Sequence, residues 1–233
     1  MKIALIGIGK TGSLVKSIAE KKGHEVVAVI TRSEAGDAIG ELAQKLRAAD
    51  VAIDFSTPER VRQNVEACIA AGVPLVEGTT GWNDQREEIE QIVRDNNGTM
   101  VFGANFSIGV NLFYRIVDHA SELFARFPEY EAFIEEQHHS GKKDAPSGTA
   151  LKLKDFVSRH IETDFSVSST RAGNIPGTHR VGFDGRFDQV LLQHSARTGE
   201  GFASGALMAA EWIAGKKGFY EFSQIMDEIL KKT

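Results

Sequence analysis

One cysteine, Cys68, occurs in 233 residues. A disulfide needs two and a thiolate metal site needs more, so both are excluded. Cys68 falls in a helical pattern with Val65 and Ile69, where a small core side chain is the simplest reading. No two histidines stand at helical i, i+4 spacing and no G-x-S-x-G run occurs, so metallohydrolase and serine-hydrolase readings lack their residues and no metal is expected. Long apolar runs are also missing. Val26 to Ile30 is far too short to cross a bilayer, and Met1-Lys2-Ile3-Ala4-Leu5-Ile6 reads as a strand running into glycines rather than as a cleaved leader, so a cytoplasmic protein with no membrane partner is expected. The net charge of −5 and the scatter of lysines leave no basic face and no helix-turn-helix for nucleic acid.

What is present is an ordinary globular composition, 42% hydrophobic and 25% charged, with enough chain for two small lobes. The first hundred residues alternate strand and helix. Strands are predicted at Ile3–Ile6, Glu25–Thr31, Val51–Phe55, Leu75–Glu77 and Thr99–Phe102. Between them lie helices through Leu14, Val15, Ile18 and Ala19, over Glu59–Ala71, and over Asp84–Asn96. Such alternation specifies a parallel, doubly wound, Rossmann-like α/β sheet. After Gly103 a long helix (Leu112, Ile116, Val117, Ala120, Leu123) precedes a strand at Tyr130–Gln137 and a helix from Ser147. Consecutive strands follow at Ser166–Arg171, His179–Phe183 and Phe187–Ser195, which predicts an α+β second domain with a mostly antiparallel sheet. The tail, Phe202–Leu230, is helical with an interruption at Gly215–Gly218. The expected domains are therefore 1–104, completed by C-terminal helices at about 205–233, for the dinucleotide, and 105–204 for substrate and oligomerisation.

Gly7-Ile8-Gly9-Lys10-Thr11-Gly12 follows a strand and opens an amphipathic helix, the context in which G-x-G-x-x-G binds a dinucleotide. Its glycines let the backbone approach a pyrophosphate at a helix N-terminus. The second strand lacks the usual acidic end and runs into Thr31-Arg32-Ser33. Arg32, with those two hydroxyls, suits a 2′-phosphate, which makes NADPH the first choice and NADH the second. Three further loops stand beyond strand carboxyl ends: Asp54-Phe55-Ser56-Thr57, Gly78-Thr79-Thr80 and Gly103-Ala104-Asn105-Phe106.

A second cluster spans Glu136 to Ala150. His138-His139 ends a predicted strand, where neighbours face opposite ways, so only one of the two can face a given pocket. Lys142-Lys143 follows, and Ser147-Gly148-Thr149 starts a helix. A lysine beside unpaired helix N–H groups suits a carboxylate, with Gly148 permitting close approach and Thr149 adding a hydroxyl. A nearby histidine can give or take a proton near neutral pH.

These residues resemble the dihydrodipicolinate reductase family, whose signature is similar to Glu136-Gln137-His138-His139, then Lys142, then Asp144-Ala145-Pro146-Ser147-Gly148-Thr149-Ala150. Further matching segments lie in family order over nearly the whole chain, among them Asp54-Phe55-Ser56, Gly78-Thr79-Thr80-Gly81, Ala104-Asn105-Phe106-Ser107, Arg171-Ala172-Gly173 and Phe202-Ala203-Ser204-Gly205-Ala206. The resemblance implies reduction of a cyclic dicarboxylate, 4-hydroxy-tetrahydrodipicolinate, in the diaminopimelate route to lysine, by hydride from NADPH or NADH. It implies His138 as proton donor or acceptor, Lys142 as proton donor, and His139, Ser147, Gly148 and Thr149 around the substrate carboxylates. Gly7–Gly12, Gly78–Thr80 and Gly103–Phe106 would hold the cofactor, and the assembly would be a homotetramer joined through the second domain's sheet. Two departures stand out: Thr31 replaces an acidic residue, and Gly199 replaces an arginine that Arg197 would have to supply. The competing readings are another two-lobe dehydrogenase of the aspartate pathway and a dinucleotide-sensing regulator. The semialdehyde enzyme needs a catalytic cysteine, which Cys68 in a core helix does not provide, and a regulator needs a recognition element that is not seen.

Overall fold

A computed structural model describes residues 1–34 and 37–231. They form two compact units, Met1–Ile108 with Glu200–Thr233, and Gly109–Gly199. Lys232 and Thr233, the end of the expected C-terminal segment, lie outside the described residues.

The first unit is built on a six-stranded sheet of β1 (Lys2–Ile6), β2 (Glu25–Ile30), β3 (Val51–Asp54), β4 (Leu75–Glu77), β5 (Thr99–Phe102) and β10 (Gly218–Glu221). All pairs are parallel, in the order β10-β5-β4-β3-β1-β2. The chain leaves β1 for β2 on one side and returns to β3 on the other. That reversal opens a crevice beyond the carboxyl ends of β1 and β3. The helices are α1 (Lys10–Lys21), α2 (Ile39–Leu46), α3 (Val61–Ala71), α4 (Arg86–Asp95), α7 (Glu200–Ile213) and α8 (Phe222–Lys231). Each turns an apolar stripe to the sheet, as Val15 and Ala19 of α1 do. Helix α3 ends at Gly72 in the left-handed region (φ +71°), the conformation that a helix C-terminus commonly reserves for glycine.

Two elements depart from the sequence expectation. The first is α2, for which no helix was predicted, although Leu42, Ala43 and Leu46 recur at helical spacing and are buried. The second is β10, where the sequence shows only an interruption between helices. Gly218–Glu221 pairs in register with Thr99–Phe102 and extends the sheet. A four-residue strand that pairs only with a segment far away in the chain has little local signature.

The second unit is a four-stranded sheet in the order β7-β6-β8-β9, from β6 (Glu131–His138), β7 (Ser166–Arg171), β8 (Thr178–Asp184) and β9 (Gln189–Ser195). The β6–β8 and β8–β9 pairs are antiparallel, as expected, but β6–β7 is parallel. The crossover that permits this is α6 (Gly148–Ser158), the helix between those two strands. On β6 the side chains of 132, 134, 136 and 138 are buried and alternate with partly exposed ones. The buried row meets α5 (Ile108–Phe124) and α6 around Val117, Ile134, Leu153, Val157 and Phe183. The core therefore sits on one face of the sheet, and the polar end of that row carries Glu136 and His138.

Candidate active site

In the first unit, the glycine motif divides into three tasks that its geometry separates. Gly7 has φ +82°, and a Cβ there would lie 2.6 Å from the Phe55 carbonyl oxygen. A Cβ on Gly12 would lie 2.1 Å from the Gly7 oxygen. Both glycines are dictated by the turn and by close packing. Gly9 has open space within 4 Å of its would-be Cβ and starts α1 with no side-chain cap, so the helix N-terminus faces outward. A cleft of about 710 Å³ opens there, lined by Gly7, Ile8, Gly9, Ile30, Thr31, Arg32, Phe55, Ser56, Thr57, Glu59, Arg60 and Asn64. Lys10 and Thr11 form the first turn of α1 beside it.

The loop after β2 is ordered by Glu34, whose carboxylate accepts from Thr31 N (2.9 Å), Thr31 Oγ1 (3.0 Å) and Lys45 Nζ (2.9 Å). The Thr31 N–H first, and then Lys45, hold its pKa at about 2. The Thr31 and Ser33 hydroxyls bond to each other at 2.8 Å. Arg32 and Arg60 are thus the cations of the cleft lining. Arg60, anchored by Nη1 to Gln63 Oε1 at 2.7 Å, was not singled out from sequence because it follows Pro58-Glu59 as an ordinary helix-start residue.

The other two expected cofactor loops lie outside this cleft. Thr79 is buried and accepts on Oγ1 from Ser56 N at 3.1 Å, while Gly78 and Thr80 are more open. Asn105 Oδ1 caps Ser107 N at 2.8 Å, and Gly103 is buried beside an exposed Ala104. Phe106 is a core residue, with its ring against Phe55 and Phe222 and 1% exposed. Its carbonyl is packed against Gly205, where a Cβ would lie 1.7 Å from the oxygen.

In the second unit, Glu136 and His138 leave the same face of β6, two residues apart, and the neighbouring strands bring partners to them. His138 is in register with Arg171 of β7, and Glu136 with His179 of β8. The Glu136 carboxylate is buried and takes Arg171 Nη2 at 2.7 Å, Arg171 Nη1 at 3.0 Å and Ser147 N at 3.2 Å. It also holds His138 Nδ1 in a short contact. Burial works against its charge, but Arg171, Ser169 and His138 outweigh it and keep the pKa at about 2. With Nδ1 on a carboxylate, the ring nitrogen left for proton exchange is Nε2, the atom that faces Gly177. A Cβ on Gly177 would stand 3.1 Å from Nε2, and its φ of +143° favours glycine. Burial lowers the His138 pKa despite Glu136. His179, 5.1 Å away ring to ring, is driven to about 4, first by burial and then by His138.

Glu136, His138 and His179 offer ligand atoms within 4.8 Å of one another, a grouping that sequence spacing did not reveal. The same carboxylate is already neutralised by the two-pronged Arg171 contact, and this favours an acid–base arrangement.

Lys142 Nζ lies 2.6 and 2.9 Å from the two oxygens of Asp144. The Asp144 carboxylate also accepts from the Gly148 N–H. A carboxylate therefore sits between the lysine and the N-terminus of α6, and Gly148 has open space around its would-be Cβ. Ser147 caps α6 through Oγ (Ala150 N, 3.2 Å), contacts His179 Nε2 at 3.2 Å and is buried, so its hydroxyl serves the scaffold. Thr149 hydrogen bonds to the buried hydroxyl of Tyr114, whose pKa burial raises to about 12. His139 is exposed, just beyond the strand end. Arg197 is exposed on the loop after β9. In this unit sequence reading gave no site role to His179, to Tyr114 or to Arg171, which it named only within a matching family segment, and the parallel β6–β7 register is what brings Arg171 in.

Two family profiles cover the chain: "Dihydrodipicolinate reductase, N-terminus" matches residues 1–106 and "Dihydrodipicolinate reductase, C-terminus" matches residues 109–226. The 4-hydroxy-tetrahydrodipicolinate reductase of Christiangramia forsetii is 30% identical over 99% of this chain and 100% of its own length. That of Archaeoglobus fulgidus is 35% identical over 97% of this chain and 100% of its own. Among solved structures, the dipicolinate-bound dihydrodipicolinate reductase of Paenisporosarcina sp. TG-14 superposes with a TM-score of 0.78 at 24% identity, covering 97% and 99% of the two chains, and shares the fold.

Proposed function

The chain belongs to the dihydrodipicolinate reductase family, and from this premise we propose that it reduces 4-hydroxy-tetrahydrodipicolinate to tetrahydrodipicolinate in the diaminopimelate route to lysine. It is an oxidoreductase with a Rossmann-like dinucleotide-binding fold. A nicotinamide dinucleotide, when bound, supplies the hydride. The open N-terminus of α1 and the 710 Å³ cleft suit the pyrophosphate and adenosine half of such a cofactor. NADPH is preferred over NADH, because the cleft has two arginines, Arg32 and Arg60, and Glu34 is committed to Thr31 and Lys45.

The single observation that carries the substrate reading is the Asp144 carboxylate on Lys142 and the Gly148 N–H. It marks a position where a carboxylate is stable, and a cyclic dicarboxylate displacing it gains the lysine, the helix N-terminus and the open approach at Gly148. His138 stands near enough for the Lys142 charge to bear on its ionisation. Elimination of the 4-hydroxyl as water leaves a conjugated imine ring. Hydride addition to it forms a C–H bond and drives an electron pair towards the ring nitrogen, and a proton from His138 Nε2 or from Lys142 quenches the charge. Substrate, reduced dinucleotide and one proton thus become tetrahydrodipicolinate, oxidised dinucleotide and water. Glu136 fixes the His138 tautomer and favours its protonated form, so the bound dicarboxylate and Glu136 together oppose the effect of burial. His139 and Thr149 complete the substrate surroundings. A homotetramer joined through the second unit's sheet and a cytoplasmic location complete the reading. Support for the former is the exposed apolar set Phe187, Val190 and Leu191 at the β9 edge.

The test is a coupled assay with enzymatically generated substrate, following NADPH and NADH oxidation side by side. Substrate-dependent oxidation, faster with NADPH at limiting cofactor, is expected. No oxidation of either would overturn the reading.

A further inference from the structure

At the sheet end of the first unit lies a pair of carboxyl groups that none of the roles above uses. Asp54 ends β3 and Glu77 ends β4, and the two are register partners in a parallel pair. Both are 0% exposed. Asp54 Oδ1 accepts from Ser56 N at 2.7 Å and Oδ2 from Asn64 Nδ2 at 2.6 Å. Glu77 Oε1 accepts from Thr79 N at 2.7 Å. Glu77 Oε2 is buried and meets no N–H or hydroxyl donor. Its register partner on the neighbouring strand is Asp54, close enough for each carboxyl to bear on the other's ionisation. Two buried carboxylates side by side can only repel and leave Oε2 without a donor, whereas a carboxylic acid can donate to a neighbouring carboxylate.

The surroundings offer no compensating cation. Among the described residues no lysine, arginine or histidine forms an ion pair with either group. Helix α3 contributes neutral Asn64 and the thiol of Cys68, whose pKa is pushed up by burial and then by these two carboxyls. The buried residues of α7, which packs on β3 and β4, are apolar, with Ala203, Ala206 and Leu207 among them. A buried pair of anions without a cation costs several kcal/mol per ion, so about one proton must stay.

We infer that Asp54 and Glu77 share one proton at neutral pH, with Glu77 as the acid, and that this pair is a positioning device for the turns that flank the dinucleotide cleft. The Asp54 carboxylate, already holding two N–H donors, is the better anion. Each carboxyl ties down the backbone N–H two residues on, and Ser56 N also bonds to Thr79 Oγ1, so the turns after β3 and β4 are stapled together. Ser56 and Asn64 line the cleft. Removing the proton at alkaline pH places two anions side by side, spreads the turns and weakens the dinucleotide. The inference rests on the reading that this cleft takes the dinucleotide.

The test joins infrared spectroscopy of the full-length protein with NADPH binding across pH. Expected at neutral pH is the carbonyl stretch of a buried protonated carboxyl, absent in Glu77→Gln and lost from wild type at alkaline pH. The wild-type Kd for NADPH should rise about tenfold over that range, the equivalent of one pKa unit. In Glu77→Gln, whose amide donates to Asp54 but does not titrate, the Kd should stay flat with pH, while Glu77→Ala should bind weakly throughout. Absence of the band from wild type, its persistence in Glu77→Gln, or the same pH dependence in both would overturn the inference. The wild-type titration decides alone should the variant not fold. A wild type that shows the band but binds no dinucleotide would count against the cofactor reading and leave the shared proton standing.

Discussion

The two candidate sites are built on opposite plans. The cleft of the first unit is open: a bare helix N-terminus at Gly9, two arginines in the lining, and space where a Cβ would be. The carboxylate site of the second unit is saturated by its own chain: Glu136 by Arg171, Lys142 by Asp144, Ser147 by His179 and Thr149 by Tyr114. An open site gains contacts on binding, whereas a saturated one exchanges them. Cofactor affinity should therefore respond to single residues in the lining, while substrate turnover should respond to whole networks.

The largest expected effect would sharpen this contrast at the saturated site. His138→Ala should lower kcat by about 10²- to 10⁴-fold, the usual worth of a positioned acid, with NADPH affinity measured by titration nearly intact. Turnover like that of wild type would remove the acid role. Next comes Glu136→Gln, which leaves Arg171 without its buried partner and should cost about 3–5 kcal/mol in denaturant unfolding. The same pair sets a pH limit. The folded pKa of Glu136 is about 2, below the usual carboxylate value of 4.5, so its contribution is fully present above the usual value. It is lost as pH falls towards 2. Unfolding curves of wild type and Glu136→Gln should therefore converge in acid and stay apart at neutral pH.

At the open cleft, Arg32→Ala and Arg60→Ala should each weaken NADPH by about 10- to 100-fold, the range for a charge-assisted hydrogen bond, and NADH much less. Equal losses for both cofactors would show that neither arginine reads the 2′-phosphate. The smallest effect belongs to Asp144→Ala, which removes the internal anion from Lys142 and should lower the substrate KM by about threefold, less than the full worth of an exposed ion pair. A raised KM would instead make Asp144 part of the scaffold that presents the lysine.

The same contrast explains what could be read from the amino-acid order. Gly7, Gly9 and Gly12 answer to a local turn and a local helix start, so six consecutive residues suffice to locate the cleft's floor. The parallel sheet was equally legible, because strand–helix alternation leaves a period in the sequence. Arg171 and His179 reach Glu136 only through strand register, and nothing in the amino-acid order marks β6–β7 as the parallel pair of a mostly antiparallel sheet. Tyr114 reads as one more apolar position on a long helix. The one hint available was that Glu136 and His138, two apart on a strand, share a face. Asp54 and Glu77 likewise end two separate strands, and nothing local marks them as neighbours. Phe106 shows the reverse error: it stands in a loop where a ligand contact is expected, yet its ring fills the space between Phe55 and Phe222.

Whether His138 is the acid beside a carboxylate site shows in the pH dependence of the coupled reaction. Burial lowers the pKa of free His138 below 6.5, and the proton-donating form is the protonated one. In wild type, kcat/KM should fall as pH rises through that lowered value, and the matching limb of kcat should lie at higher pH, because the bound dicarboxylate favours the imidazolium. In His138→Ala both limbs should vanish. Retention of the same limbs in that variant would mean that another group donates the proton.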